Sequence, residues 1–299
     1  MSTPADSCSA VARLTEEPIA GTAPQARAWL VLEHPGPWGK DAIEDSSLPD
    51  DLNGVLSSAL QDHGVRTILA RSDARRRLEE STSRHIWVAV PDNSGGSGRF
   101  GVVRDLRTIV EWDFAGIGRG ILPRLEATMT SPREFVCTHG KRDLCCATEG
   151  RAHLLARKAL GSEPWECSHL GGHRFAATSL FLPSGRVYGR LGPDAPFSRD
   201  GEPAASQLRG ASFLSPPEQV ADTAVRVRLD LPWSVPTVVT TLVEPAHEAT
   251  DPAIVTVETP VAGNYRVTCI ANSVATAASC GGEPKPRTVW AVHEMATIA

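Results

Sequence analysis

Cys137, Cys146, His169 and His173 fall within 37 residues, in the runs CTHGKRDLCC (137–146) and HLGGH (169–173). Thiolate and imidazole are the common protein ligands of zinc and of iron, so these four side chains tie two separate segments to one metal centre. The spacing excludes a zinc finger of the usual kind, which needs cysteines two to four residues apart and a histidine pair on a helix. Eight residues separate Cys137 from Cys146, and Gly171 and Gly172 stand between His169 and His173. Each glycine would cost a helix about 1 kcal/mol relative to alanine. The histidines are therefore expected on a tight loop, where glycine accepts positive φ and both rings can turn onto one metal centre.

Two kinds of centre suit this set. Two thiolates on one segment and two imidazoles on another can divide between the irons of a [2Fe-2S] cluster, the ligand set of a Rieske centre, although the alternation of Cys and His within each Rieske motif is absent. A structural Cys2His2 zinc site in an interaction protein is the alternative. Cys145 competes with Cys146 for the second thiolate position. His139, inside the cysteine run, is a ligand, a hydrogen-bond donor to one, or a surface residue, and the last two are favoured. Cys167 reads as a packed thiol on a strand, and Cys8, Cys269 and Cys280 read as free thiols. Lys141, Arg142 and Arg174 flank the ligands, where positive charge offsets that of a cluster or guides a partner, or where the side chains are ordinary solvated cations. Trp38 is expected in the core, in a turn.

The rest of the chain alternates strand and helix signals. Residues 28–33 read as a buried strand, and 51–63 as a helix with Leu52, Val55, Leu56 and Leu60 on one face, stopped by Gly64. Strands are expected at 65–70, 85–90 and 100–106, the last two as a hairpin. The second half repeats this order: strand 134–137, helix 145–160, strand 165–168, hairpin 175–191. Further on, a helix beginning after Ser215 places Val220, Ala224 and Val227 on one face. Strands follow at 237–243, 253–259, 265–271 and 288–293. The fold class is α/β, read as two thioredoxin-like units arising from duplication, with a β-rich C-terminal extension. Residues 1–130 form a unit without metal ligands, and 131–299 carry the ligands and the extension.

The C-x8-C and H-x-G-G-H patterns, with THGKRD at 138–143 and RFAA at 174–177, resemble the sucrase/ferredoxin-like family, thioredoxin-like ferredoxins with bis-histidinyl [2Fe-2S] ligation. The likeness is concentrated between residues 135 and 190, and GTAP (21–24) and GPWG (36–39) extend it upstream. The resemblance implies that Cys137 and Cys146 hold the iron that stays ferric and His169 and His173 the reducible one. It implies an electron carrier working with a redox partner protein in cytosolic redox metabolism or stress response. Family spacing also prefers Cys146 to Cys145. The stretch between the two motifs is short for the family.

Composition excludes several other classes. A formal charge of −5 argues against nucleic acid as a partner. No apolar run reaches the roughly 18 residues of a membrane span, and the first residues lack a basic and then apolar leader, so a cytoplasmic protein without a membrane partner is expected. The first sixteen or so residues, rich in Ser, Thr, Ala and Pro, are expected to be poorly ordered. Seven cysteines form no regular disulfide framework. There is no G-x-S-x-G elbow and no C-x-x-C pair, which argues against a hydrolase of the α/β type and against thiol–disulfide exchange. No carboxylate pair suggests sugar hydrolysis, and no catalytic residue is assigned.

Overall fold

The computed structural model describes residues 4–72, 83–198, 201–243 and 251–298. Its first strand, β1 (Ala28–Glu33), is buried along its whole length, as an uninterrupted apolar run requires when both faces of a sheet are covered. Helix α2 (Asp50–His63) follows, after the short α1 (Cys8–Leu14). It buries Leu52, Leu56 and Ala59 and ends at Gly64 in the left-handed conformation. Ala59 takes the inner place expected of Leu60, whose side chain faces outward.

β2 (Val65–Arg71) runs parallel to β1, β3 (Arg84–Val90) lies antiparallel on its other side, and β4 (Ser97–Val103) pairs with β3. Past α3 (Phe114–Gly118), the two-residue β5 (Ala127–Thr128) pairs with β4. The second half contributes β6 (Arg133–Cys137), α4 (Arg151–Ala159), a parallel β7 (Trp165–Cys167), then β8 (Ser179–Leu182), β9 (Arg186–Tyr188) and β10 (Leu208–Ala211). β8 starts later than expected because residues 173–175 form a 3-10 turn.

These strands form one sheet in the order β10-β9-β8-β6-β7-β2-β1-β3-β4-β5. Each half follows the same path: strand, helix, parallel strand, then two antiparallel strands. The halves meet edge to edge, where Ala70 and Arg71 of β2 pair with Cys167 and Glu166 of β7. A shared core of Trp29, Ile68, Trp87, Phe135 and Leu180 covers one face and includes Cys137, Cys146 and Cys167. The burial of each large apolar side chain contributes about 1.5–3 kcal/mol. The molecule is thus mixed α/β with both halves in one continuous sheet.

The C-terminal part has its own four-stranded sheet. Helix α5 (Pro216–Leu229) starts with a capping box in which the Ser215 amide donates to Glu218 at 2.8 Å. It buries Val220, Ala221 and Val225 against β12 (Ala253–Thr259) and β13 (Gly263–Ala277). Ala221 and Val225 take the place expected of Ala224 and Val227, and Val227 is exposed. β11 (Val238–Val243) and β14 (Pro284–Ile298) complete the order β11-β12-β13-β14. β13 and β14 are 15 residues each and pair from Asn264↔Ile298 to Ala277↔Pro284, a ribbon of about 50 Å at 3.4 Å per residue.

The start of the chain corrects an expectation. Instead of a loose tail, α1 is capped by Ser7, whose Oγ accepts from the Ala10 amide at 3.3 Å, and Cys8, Ser9 and Ala12 are buried. Ser9 and Arg13 both bond to Glu149, and Arg13 also donates to the Ala176 carbonyl at 2.8 Å. The helix is held by partners more than 130 residues away, which its composition does not show. Residues 1–3 lie outside the described residues. Among the described residues, no helix is long and apolar enough to cross a membrane.

Candidate metal centre

The candidate ligands sit where strands of the second half end. Cys137 is the last residue of β6, and the Thr138 amide donates to the Cys167 carbonyl of β7 at 3.2 Å. The chain turns through residues 138–145, and Cys146 opens a π-helical turn (Cys146–Gly150) that leads into α4. Gly150 lies against the end of β6, where a Cβ would overlap the Cys137 carbonyl. That close approach sets Cys146 beside Cys137.

After β7, Ser168 joins the ligand loop to the first half. Its amide donates to the Leu69 carbonyl at 2.8 Å, and its Oγ accepts from the Leu69 amide at 3.0 Å. The His169 amide donates to His139 Nδ1 at 3.2 Å, and His139 Nε2 donates to the Gly39 carbonyl at 2.6 Å. These two bonds fix the tautomer of His139 with its proton on Nε2. Trp38 meets His139 edge-on with centroids 5.8 Å apart, and its indole N–H donates to the His34 carbonyl at 3.1 Å. His139 therefore supports the His169 backbone and is buried, and Trp38 is a core residue as expected.

Gly171 and Gly172 turn the histidine loop at φ +78° and +67°. The buried Arg209 holds that turn from below: Nη1 donates to the Gly171 carbonyl at 2.8 Å, and Nε to Thr22 Oγ1 at 3.1 Å. Burial pulls its guanidinium down to about 9. Arg209 carries no motif of its own, and sequence reasoning missed it.

The four candidate donors form a row. Donor atoms of Cys137, Cys146 and His169 lie within 4.8 Å of one another. Cys146 Sγ is 3.8 Å from His169 Nδ1, and His169 Nε2 is 3.4 Å from His173 Nδ1. The two imidazoles are tilted by 32° with centroids 5.0 Å apart. His173 is buried. His169 is half-buried at the edge of a cleft also lined by Lys40, Asp41 and Arg142.

Electrostatics favour ligation. A hydrogen bond from Cys146 holds the Cys137 thiol well below its ordinary range, while the bond to Cys137 and burial push Cys146 well above. The pair thus shares one proton and presents one thiolate. Burial lowers His173 and His139, which keeps both rings in the neutral form that binds metals.

The other cysteines and the flanking cations are placed as follows. Cys145 faces away from Cys146: its Sγ lies 3.5 Å from Cys8 and 3.3 Å from Cys280. Cys8 and Cys280 are free thiols as expected, and they are also neighbours in space; among the described residues all seven cysteines are unbonded. Cys167 and Cys269 are buried, Cys167 within the shared core. Arg174 pairs with buried Glu17 at 2.7 Å, whereas Lys141 and Arg142 are exposed.

Comparison with curated proteins and with solved structures gives no match. The family model described as sucrase/ferredoxin-like matches residues 19–196, a span that covers more than half of the chain and contains Cys137, Cys146, His169 and His173. The chain therefore belongs to the sucrase/ferredoxin-like family.

Proposed function

We propose that this protein is a one-electron carrier that holds a [2Fe-2S] cluster on Cys137, Cys146, His169 and His173. The observation that carries this reading is the unbroken row of donors, with a thiol pair at one end and an imidazole pair at the other. A single tetrahedral ion needs all four donors within about 4 Å of one another, whereas His173 joins the close trio only through His169. The row suits a binuclear centre better. The donor set also has the unmet valence of a metal site in its shared thiolate.

When bound, such a cluster supplies reversible one-electron chemistry, and imidazole ligation raises its potential into the Rieske range of about −150 to +300 mV. The residues around it do the rest. His169 reaches the cleft and offers the edge from which an unidentified redox partner protein takes an electron. His173 holds a proton on the ring nitrogen turned toward Asp143 Oδ2, 3.7 Å away. Arg209 places positive charge beneath the thiolates.

The shared strand order of the two halves supports reading residues 1–130 as a thioredoxin-like unit without ligands and 131–299 as a unit of common origin that carries the ligands and a C-terminal extension. A cytoplasmic setting, without nucleic acid or membrane as partner, belongs to the same reading. Its test is the visible and EPR spectrum of anaerobically purified protein, with iron and acid-labile sulfide measured. A reddish-brown protein with an EPR signal on reduction is expected. A colourless protein with zinc on Cys137, Cys146, His169 and His173 overturns the carrier in favour of a structural Cys2His2 site.

A further inference from the structure

Three cysteines far apart in the chain meet beside the candidate centre. Cys8 comes from α1, Cys145 from the cysteine run, and Cys280 from the tip joining β13 to β14. Their sulfurs form a nearly equilateral triangle of 3.5, 3.3 and 3.6 Å. Asp143 stands over it: Oδ1 lies 3.8 Å from Cys8 Sγ and 3.3 Å from Cys280 Sγ. Two backbone amides fix that carboxylate, from Cys145 to Oδ1 at 2.9 Å and from Cys280 to Oδ2 at 3.0 Å. Cys8, Asp143 and Cys145 are buried, and Cys280 is half-buried.

The dimensions suit a zinc ion. Zinc bonds sulfur at about 2.3 Å and carboxylate oxygen at about 2.0 Å, so a tetrahedral ion requires sulfur–sulfur edges of about 3.8 Å and sulfur–oxygen edges of about 3.5 Å. The observed edges lie within about half an ångström of both. A disulfide would select one pair at about 2.05 Å, yet the three separations here are almost equal. Iron–sulfur clusters spread their thiolates over several irons, and a triangle this tight surrounds one ion.

From this geometry we infer that Cys8, Asp143, Cys145 and Cys280 form a second, structural metal site for Zn2+. Four protein donors close the coordination sphere, which leaves no open position for catalysis. Thiolate ligands favour zinc over magnesium, calcium or manganese. The site pins α1 and the ribbon tip onto the loop that carries Cys146. Cys8 and Cys280 both lie outside the span matched by the family model, residues 19–196.

The test is metal analysis and zinc-edge X-ray absorption on the full-length protein, expressed with both iron and zinc supplied. One zinc per chain is expected in addition to iron, with three sulfur neighbours and one oxygen. Cys280→Ser, at the half-exposed tip, should lose that zinc and keep its iron, while His169→Ala should keep the zinc. Absorption on the unsubstituted protein decides the matter even where a variant fails to fold. Iron-loaded protein without zinc, or with a disulfide among the three cysteines, overturns the inference and leaves the electron-carrier reading standing. Zinc that shows imidazole neighbours, is lost in His169→Ala and survives in Cys280→Ser overturns both.

Discussion

Asp143 and His173 face each other, Oδ2 to Nε2, at 3.7 Å, on the boundary between the two cysteine groups. Burial opposes the charge of Asp143, but the amides of Cys280 and Cys145 outweigh it and hold the carboxyl below its ordinary range. A fixed negative charge therefore faces the outer nitrogen of one proposed iron ligand. In the oxidised state the higher metal charge acidifies the imidazoles. The midpoint potential should accordingly fall as pH rises, by up to about 59 mV per pH unit for each proton coupled to one electron. Redox titration between about pH 6 and 10 checks this, and a flat profile would remove His169 and His173 from the proton-carrying role.

Adjacent cysteines should behave differently. Cys146 Sγ is in the group with Cys137 and His169, and Cys145 Sγ is in the other. Cys137→Ser and Cys146→Ser should abolish the native visible spectrum, whereas Cys145→Ser should leave it nearly intact. The reverse pattern would exchange the two assignments.

Gly172→Ala should disturb the histidine loop. Its φ of +67° disfavours a side chain, and a Cβ would overlap the Arg209 guanidinium. A loss of about 1–3 kcal/mol is expected by denaturant titration, with a larger effect than at Gly171, where the added Cβ meets open space.

Arg209→Gln removes a buried positive charge whose field acts on Cys137 and Cys146. The oxidised centre, the more positive of the two states, is then relatively stabilised, so the potential should drop. Protein-film voltammetry of the variant reads the shift directly, and an unchanged or higher value would count against the electrostatic role.

A separate pH effect lies in the first half. His85 donates to buried Glu33 from its amide at 2.9 Å and its ring at 2.6 Å, and the ring bond raises its pKa above the usual 6.5. A raised folded pKa gives stability that is complete below about pH 6.5 and is lost as pH climbs through the folded value. The Tm penalty of His85→Gln should therefore be largest near pH 5.5 and shrink above neutrality, as calorimetry at several pH values would show.

What was legible in the sequence follows the range of the interactions. β1 and β12 were readable to the residue because apolar runs and alternation are local signals. The glycines of the HLGGH run marked their loop for the same reason. The buried face of α5 was misjudged because Val220, Ala221 and Val225 are selected by the sheet beneath them and not by periodicity alone. α1 is seven residues long, too short for a pattern, and depends on Glu149 and Ala176. Cys280 stands in the run SCGG, which suggests a turn, yet nothing local indicates that a 15-residue ribbon carries that turn back to Cys145. Arg209 was invisible because its value lies in a carbonyl of a loop 38 residues away.

The reach of the β13–β14 ribbon also sets an order of events during synthesis. Residues 137–173 leave the ribosome more than a hundred positions before Cys280, and Cys8 precedes Cys280 by 272. Because domains form as the chain emerges, the Cys137 and His169 segments can meet while the side later covered by the ribbon tip is still open.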